Sequence, residues 1–205
     1  MKYITRVRQA FSKNDFPTFT MSDIRLLLKS NGVSYAYVRL MLHNLIKKGE
    51  IIQLTKGIYT FHHDVVVVGF AFRPFYYGLE DALMLRGLSG QGTNFIVMTT
   101  QNVRTGVRTF SGRNYVINRI RSEHFFGYDL IKYGEFWIPV SDVEKTVIDM
   151  IHFNGGIRDE LWPGILKVLK MKKLREYLKG YKPGFRKRVV GVVDGQRGHK
   201  TTVHG

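Results

Sequence analysis

The stretch "GEIIQLTKGIYTF", residues 49–61, decides how the first part of the chain is interpreted. Two short β-prone runs, "IIQL" and "IYTF", flank the tripeptide Thr-Lys-Gly. Gly57 can adopt the positive φ angle that a tight hairpin with a bulge requires. The pattern therefore predicts a small β-hairpin with Lys56 at its tip, directly after a helix that ends in two lysines.

Three helices are predicted before this hairpin. In the first, Ile4, Val7 and Phe11 repeat at helical spacing. The second is expected to begin at a cap formed by Thr20 or Ser22, because short hydroxyl side chains accept hydrogen bonds from the free N–H groups of a first turn. An Asn-Gly pair should end this second helix in a left-handed conformation.

The third predicted helix carries the features that point to a function. Ser34 is its expected cap, and Gly49 is expected to end it. The apolar residues of its buried face fall at positions i, i+3, i+4 and i+7: Val38, Met41, Leu42 and Leu45. A projection at 100° per residue gives the outward face as Ala36, Leu40, His43 and Lys47, with Arg39 and Asn44 on its flanks.

Three helices and a hairpin within about 60 residues is the layout of a winged helix-turn-helix. In that layout the last helix enters the major groove and the hairpin contacts the DNA backbone. Residues 1–62 contain ten Lys and Arg against three Asp and Glu. This excess favours DNA over the alternative, a small protein-docking module.

The expected DNA contacts divide into two groups. The residues expected to contact base edges or thymine methyl groups are Tyr35, Tyr37, Arg39, Leu40, His43 and Asn44. The residues expected to contact phosphates are Ser34, Lys47, Lys48 and Lys56. The predicted partner is therefore double-stranded DNA.

The composition of the whole chain limits its partners and its location. The 205 residues include 32 Lys and Arg and 16 Asp and Glu, a net charge of +16, which favours polyanionic partners. There is no cysteine, which excludes disulfides, thiolate metal sites and cysteine nucleophiles. The N-terminus lacks the apolar core of a secretory signal, and the longest apolar run, residues 65–72, is too short to cross a bilayer. That run is interpreted as a buried strand, and the protein is expected in the cytoplasm, without membrane association.

Residues 63–182 mix strand and helix patterns. A helix is predicted within residues 75–88, strands at 94–100 and 112–120, a hairpin at 128–140 and a helix at 141–151. The sequence thus predicts an α+β domain with a mostly antiparallel sheet after the winged helix-turn-helix.

The C-terminal part is predicted to be one helix followed by a tail. An amphipathic helix is expected over residues 160–180, with Pro163 in its first turn. Residues 183–205 are basic and rich in glycine, so we expect a weakly ordered tail. The predicted domains are therefore residues 1–62 and 63–182, followed by this tail.

Several of these segments resemble a known family. The wing "GEIIQLTKGIYTF", the run "YYGLEDALMLRGL" and above all "IPVSDVEKTVIDMI" resemble AbiEi-type antitoxins of type IV toxin–antitoxin systems and related transcriptional regulators. The resemblance covers roughly residues 5 to 152, and its distinctive element contains Asp142, Glu144, Lys145 and Asp149. It implies a repressor that binds inverted repeats in its own promoter and an α+β domain that provides antitoxicity. The implied partner is a nucleotidyltransferase-like toxin from the same operon, neutralised without a stable protein complex.

Two clusters of charged residues are candidates for other chemistry. Asp142, Glu144 and Asp149 with Lys145 would suit a metal-dependent nuclease, but adjacent helical residues point about 100° apart. Glu144 is also explained by a capping box with Ser141, so the motif is interpreted as structural. The histidines lack ligand-like spacing, and we therefore expect no enzyme activity, no metal and no cofactor.

The second cluster is an arginine-rich stretch at residues 104–121. It contains no acidic residue and interleaves aromatic side chains with Arg104, Arg108, Arg113, Arg119 and Arg121. Guanidinium and aromatic groups together are typical of surfaces that contact phosphates and stack on bases. The stretch is therefore a possible nucleic-acid patch, and the alternative is a solvated sheet face.

Two other functions stay open at the level of sequence. The chain could be an ordinary winged-helix regulator whose second domain senses a ligand or forms oligomers. It could also be a nucleic-acid enzyme that uses the carboxylate cluster. A neighbouring gene for a nucleotidyltransferase-like protein would favour the antitoxin.

Overall fold

The first part of the chain folds as three helices and a small sheet. The computed structural model describes residues 3–12, 17–90 and 94–199. The three helices are α1 (Ile4–Phe11), α2 (Met21–Leu27) and α3 (Tyr35–Lys47). They lie where the sequence predicts them, with a 3-10 turn at Lys29–Asn31 after α2.

Side-chain caps explain where α2 and α3 begin. The Thr20 hydroxyl accepts from the Asp23 amide, and the Asp23 carboxylate accepts from the Thr20 amide, so α2 starts with a reciprocal capping box. The Ser34 hydroxyl accepts from the Tyr37 amide at the start of α3. Both predicted caps are confirmed, Thr20 being the residue used at the first.

A three-stranded antiparallel sheet completes this part. Its strands are β1 (Phe19–Thr20), β2 (Ile52–Thr55) and β3 (Ile58–Thr60), in the order β1-β3-β2. The register between β2 and β3 shifts after Gln53, and Gly57 has a φ of 79°. The predicted hairpin with a bulge is therefore confirmed. The predicted inward residues of α3 are all buried and pack with α1, α2 and Phe19.

The second part of the chain, the described residues from 63 to 199, contains a six-stranded mixed sheet. Its strands are β4 (Phe75–Tyr77), β5 (Phe95–Thr99), β6 (Gly106–Phe110), β7 (Arg113–Arg119), β8 (Tyr128–Tyr133) and β9 (Phe136–Ser141). Their order is β6-β7-β5-β4-β9-β8. The pairs β5–β7 and β4–β9 are parallel, and the other three pairs are antiparallel. The expectation of a mostly antiparallel sheet is wrong, because strand patterns locate strands but do not reveal which distant strands become neighbours.

The apolar run at residues 65–72 is buried, but it is not a strand. Val65–Phe72 is a 3-10 helix whose start is capped by the Asp64 carboxylate, which accepts from the Val66 amide. A short, uninterrupted apolar run has no period that separates a strand from a buried helical segment. Gly69 allows the close packing there, since a Cβ atom would lie 2.1 Å from the Phe75 ring.

Five α-helices of the described residues pack against one face of the sheet in the second part. They are α4 (Leu79–Leu85), α5 (Val143–Phe153), α6 (Trp162–Val168), α7 (Met171–Leu178) and α8 (Pro183–His199). One apolar core joins these helices to one face of the sheet, and a second core lies between its other face and the 3-10 helix.

Two predictions about the C-terminal part are wrong. Residues 160–180 form α6 and α7 rather than one helix, because Leu169 is extended and the Lys170 amide donates to the Glu144 carboxylate at 2.7 Å. Residues 183–199 form α8 rather than a weakly ordered tail, since Val189 and Val193 are fully buried in the core. Only residues 200–205 of the predicted tail lie outside the described residues.

Candidate nucleic-acid interface

The outward side of α3 is exposed and cationic. Seven of the predicted contact residues on or next to α3 are exposed: Ser34, Tyr35, Arg39, Leu40, His43, Lys47 and Lys48. Leu40 keeps 55% of its surface accessible, although it is a large apolar residue in the middle of a helix. An exposed leucine among cations and polar groups suits contact with thymine methyl groups in a major groove.

The hairpin that follows this helix in the sequence carries a further exposed cation. Lys56 is exposed at the tip between β2 and β3, and Lys47 and Lys48 lie at the C-terminal end of α3. Within the described residues, none of these three lysines forms an ion pair, and the salt bridge of this part joins Arg8 to Glu50. The charges of these lysines are therefore not neutralised by any carboxylate of the described residues.

Arg25 of α2 lies near the start of α3 and was not among the contact residues that the sequence predicted. Tyr35 is 55% exposed, and the Arg25 guanidinium of α2 lies 5.6 Å from the centre of its ring. This contact brings an arginine of α2 to the N-terminal end of α3. The amphipathic pattern of α2 gave the only available signal, because it leaves Arg25 outside the apolar face.

Tyr37 and Asn44 differ from the other predicted contact residues because both are half-buried. The Tyr37 ring packs edge-to-face on Tyr3, with ring centroids 6.0 Å apart, and its hydroxyl is buried without a described hydrogen-bond partner. Long helical side chains point back towards the N-terminus, which carries Tyr37 from the helix flank to α1. The structure thus places Tyr37 against the core of the first part, partly buried.

The arginine-rich stretch follows β6 and β7 without forming one cluster. Arg108 lies over the Phe72 ring at 5.3 Å and donates to the Arg104 carbonyl at 2.8 Å. Arg113 and Arg119 stand at opposite ends of β7, about 20 Å apart for a strand of this length. The interleaved Phe110 and Tyr115 are buried, so they are not available for stacking on bases.

The sequence "DVEKTVID", residues 142–149, contains carboxylates that accept hydrogen bonds from helices of the same domain. Asp142, rather than Ser141, caps α5 by accepting from the Lys145 amide at 2.8 Å, and it also accepts from the Tyr177 hydroxyl at 2.7 Å. Glu144 accepts from the amide of Lys170. The predicted capping box between Ser141 and Glu144 is therefore wrong, because another carboxylate occupies the cap position.

Lys145 and Asp149 form a fully buried ion pair. Lys145 Nζ lies 2.5 Å from Asp149 Oδ1, and the two side chains are 0% and 1% exposed. Lys145 also donates to the Tyr181 hydroxyl at 3.1 Å, and the Tyr76 hydroxyl donates to Asp149 at 2.8 Å. Burial lowers the pKa of Lys145 and raises the pKa of Asp149, and the attraction between the two charges opposes both changes. A pair enclosed in this way does not reach a phosphodiester.

Across residues 3–12, 17–90 and 94–199, no group of three or more His, Asp and Glu side chains could hold a metal ion. In the same ranges, no helix combines the length and apolar character needed to span a bilayer.

The first part of the chain matches a family of regulators. Residues 6–62 match the family described as transcriptional regulator, AbiEi antitoxin. The predicted resemblance to AbiEi-type antitoxins is confirmed over these residues. The resemblance of residues 63–152 to the same family stays a prediction.

A solved structure shares the fold over nearly the whole chain. The crystal structure of the RV2827C protein from Mycobacterium tuberculosis aligns with a TM-score of 0.64 at 13% sequence identity. The alignment covers 96% of this chain and 78% of that one. At this identity the similarity concerns the fold alone. No curated protein matches the sequence.

Proposed function

We propose that the protein is a winged helix-turn-helix repressor that also serves as the antitoxin of a type IV toxin–antitoxin system. The observation that carries the proposal is the exposed, cationic side of α3, together with exposed Lys56 at the hairpin tip, within the segment that matches AbiEi-type regulators. Helix-turn-helix proteins use such a helix in the major groove, with flanking contacts to the backbone.

The contacts divide by chemistry. Arg39 suits the paired acceptors of guanine, Leu40 suits thymine methyl groups, and His43 lies on the same exposed side. Ser34, Lys47, Lys48 and Lys56 contact phosphates, and Arg25 joins them at the start of α3. If about six phosphates are neutralised, the logarithm of affinity falls with the logarithm of salt concentration at a slope of about −5.

The target we propose is the protein's own promoter. Inverted repeats match a pair of bound copies, because the symmetry of an operator mirrors the two-fold symmetry of the proteins on it. Residues 1–62 act as the DNA-binding domain, and the rest of the chain acts as an antitoxin domain. This second domain extends beyond residue 182 to include α8. This second domain counteracts a nucleotidyltransferase-like toxin. Its buried Lys145–Asp149 pair favours a structural role for the family motif over catalysis.

A second candidate keeps the DNA-binding domain and makes the second domain a ligand sensor. A cavity between the sheet and the α7–α8 connection favours it, because Arg119, Arg121 and Lys182 line this cavity. The neighbouring gene separates the two candidates. A nucleotidyltransferase-like reading frame beside this one supports the antitoxin, and its absence supports the sensor.

The interface is tested by changing Arg39. Arg39→Gln should weaken binding to a promoter duplex by about 1–3 kcal/mol and relax the preference at one base position, since a base contact is lost. Fluorescence anisotropy with the promoter and with single-base variants of it measures both effects.

Tyr37→Phe is the matched control, because Tyr37 lies on the same helix but faces the core. It should bind the promoter as tightly as the wild type. Equal losses for the two variants, or no loss for Arg39→Gln, would contradict the proposed interface.

A further inference from the structure

A cavity of about 780 Å³ lies beside the carboxyl ends of β5 and β7. These strands are parallel, so their last residues, Thr99 and Arg119, pair at the same edge of the sheet. In open α/β sheets, ligands bind outside the carboxyl ends of the strands. The volume falls within the range of roughly 300–1,000 Å³ that is usual for small-molecule sites.

The charges that line the cavity are mainly positive. Arg119 is the last residue of β7, Arg121 lies in the segment that follows it, and Lys182 comes from the connection between α7 and α8. Among the lining residues that the structure describes, Glu123 is the one carboxylate, at 3.6 Å from Arg121. Three cations against one carboxylate leave a net charge of +2 at the cavity.

Arg119 is held in place by a neutral group. Its Nη1 atom donates to Asn102 Oδ1 at 2.7 Å, and Asn102 also lines the cavity. An amide partner fixes the guanidinium without cancelling its charge. An arginine oriented in this way retains N–H donors for the oxygen atoms of a phosphate.

Aromatic rings form a second group in the lining. The rings belong to His124, His152, Phe153, Tyr181 and Phe185. His124 stacks on Tyr181 with centroids 4.0 Å apart and an interplanar angle of 9°, and Phe185 lies 5.3 Å from Tyr181. Nucleic-acid bases stack on such rings regardless of sequence, whereas an inorganic anion gains nothing from them.

We propose that this cavity binds a nucleoside phosphate. The phosphates lie against Arg119, Arg121 and Lys182, and the base lies against the aromatic rings. The Tyr181 hydroxyl accepts from buried Lys145, so an occupied cavity is connected to the core of the second domain. The inference does not depend on the proposed DNA interface, which uses other residues.

Calorimetric titration of the full-length protein tests the proposal. ATP, GTP, CTP and UTP are added separately at about 150 mM salt, where exposed charges are largely screened. At least one of them should bind saturably. Lys182→Gln and Arg119→Gln should each weaken that binding at least tenfold, and Lys182 is an exposed side chain whose replacement does not disturb the core.

Two variants control for non-specific attraction to a basic protein. Lys132→Gln removes an exposed charge on β8, and Lys56→Gln removes the charge at the hairpin tip. Both should bind the nucleotide as the wild type does. Lys182→Gln should also keep wild-type affinity for promoter DNA, so failure of the cavity proposal and failure of the DNA interface are distinguishable.

Three results would overturn the proposal. The first is the absence of saturable binding for all four nucleotides at about 1 mM. The second is inorganic tripolyphosphate binding as tightly as the best nucleotide, which would make the cavity a simple anion site. The third is that a single-stranded RNA hexamer binds, and loses its binding in Lys182→Gln, while no mononucleotide binds. That result would make the cavity part of an RNA-binding surface.

Discussion

Lys145 and Asp149 are buried together, and each charge is stabilised in the core by the other. Their charges are 2.5 Å apart and almost completely shielded from water. Removing one partner of a buried pair leaves an uncompensated charge in the core, whereas replacing both with apolar groups can be nearly neutral. The pair lies within α5, and its hydrogen bonds to Tyr76 of β4 and to Tyr181 of the α7–α8 connection tie this helix to its neighbours.

Lys145→Met should lower the free energy of unfolding by about 3–5 kcal/mol, because Asp149 loses its counter-charge. Urea denaturation measures the loss. The double variant Lys145→Met/Asp149→Leu should recover much of it, while Lys172→Met, at an exposed position on α7, should change stability by less than about 0.5 kcal/mol. A double variant as unstable as the sum of its single variants would contradict this account.

Asp81 is a second buried carboxyl group, on α4. Its Oδ2 atom accepts from the Ile96 amide at 2.7 Å, and burial raises its pKa from 3.8 to about 7. Between these two values the folded chain retains a proton that the unfolded chain has released. Protonation therefore stabilises the folded state, and this contribution is lost as the pH rises through the folded pKa.

Asp81→Asn should remove this dependence, since the amide oxygen still accepts from Ile96 and does not ionise. Between about pH 5 and about pH 8 the wild type should lose stability relative to the variant, by a few kcal/mol at most. Urea midpoints at several pH values give the comparison. If the urea midpoints of the wild type and of Asp81→Asn change in parallel with pH, Asp81 is not the titrating group.

At the scale of elements, α8 shows what a local pattern does not reveal. Its sequence is rich in glycine and basic residues, which suggested weak order, yet Val189 and Val193 lie on one side and are fully buried. Tertiary packing overrides weak helix propensity when a buried surface is available. Residues 183–199 are therefore part of the second domain.

Val193→Ala should cost about 1.5–3 kcal/mol, because it removes buried methyl groups and leaves a cavity. Thermal and urea unfolding measure the cost. Lys187→Ala, at an exposed position on the same helix, is the control and should be nearly neutral. An equally small effect of Val193→Ala would mean that α8 does not pack on the core.

The helices and the hairpin of the first part were predictable because their signals are local. Thr20 and Ser34 cap helices through neighbours three residues away, and Gly57 permits its turn by its own φ angle. The packing of Tyr37 was not predictable from α3 alone, because it depends on Tyr3, the residue that precedes α1.

At the scale of the whole molecule, the features that sequence did not predict depend on distant residues. The parallel pairing of β5 with β7 brings Arg119 to Asn102, and the α7–α8 connection brings Lys182 to the same cavity. The Glu144 carboxylate breaks a predicted helix by binding Lys170, 26 residues away. Such contacts follow from topology, which periodicity in one segment does not specify.

The first part of the chain and the cavity of the second part are proposed to have separate functions. Arg39 and Lys56 serve DNA binding, and Arg119 and Lys182 serve a nucleotide site in the second domain. The net charge of +16 favours association with polyanions at both. The central claim is that the outward side of α3 and the tip of the hairpin contact duplex DNA at the same time.

Site-directed DNA cleavage tests this claim most directly. The chain has no cysteine, so His43→Cys, Lys56→Cys and Lys132→Cys each give one attachment point for an iron chelate that cleaves nearby DNA. On the promoter, the label at position 43 should cut within a half-site and the label at position 56 should cut just beside it, whereas the label at position 132 on β8 should not cut. Absence of cleavage from positions 43 and 56 on DNA that the protein binds, or equal cleavage from position 132, would contradict the account.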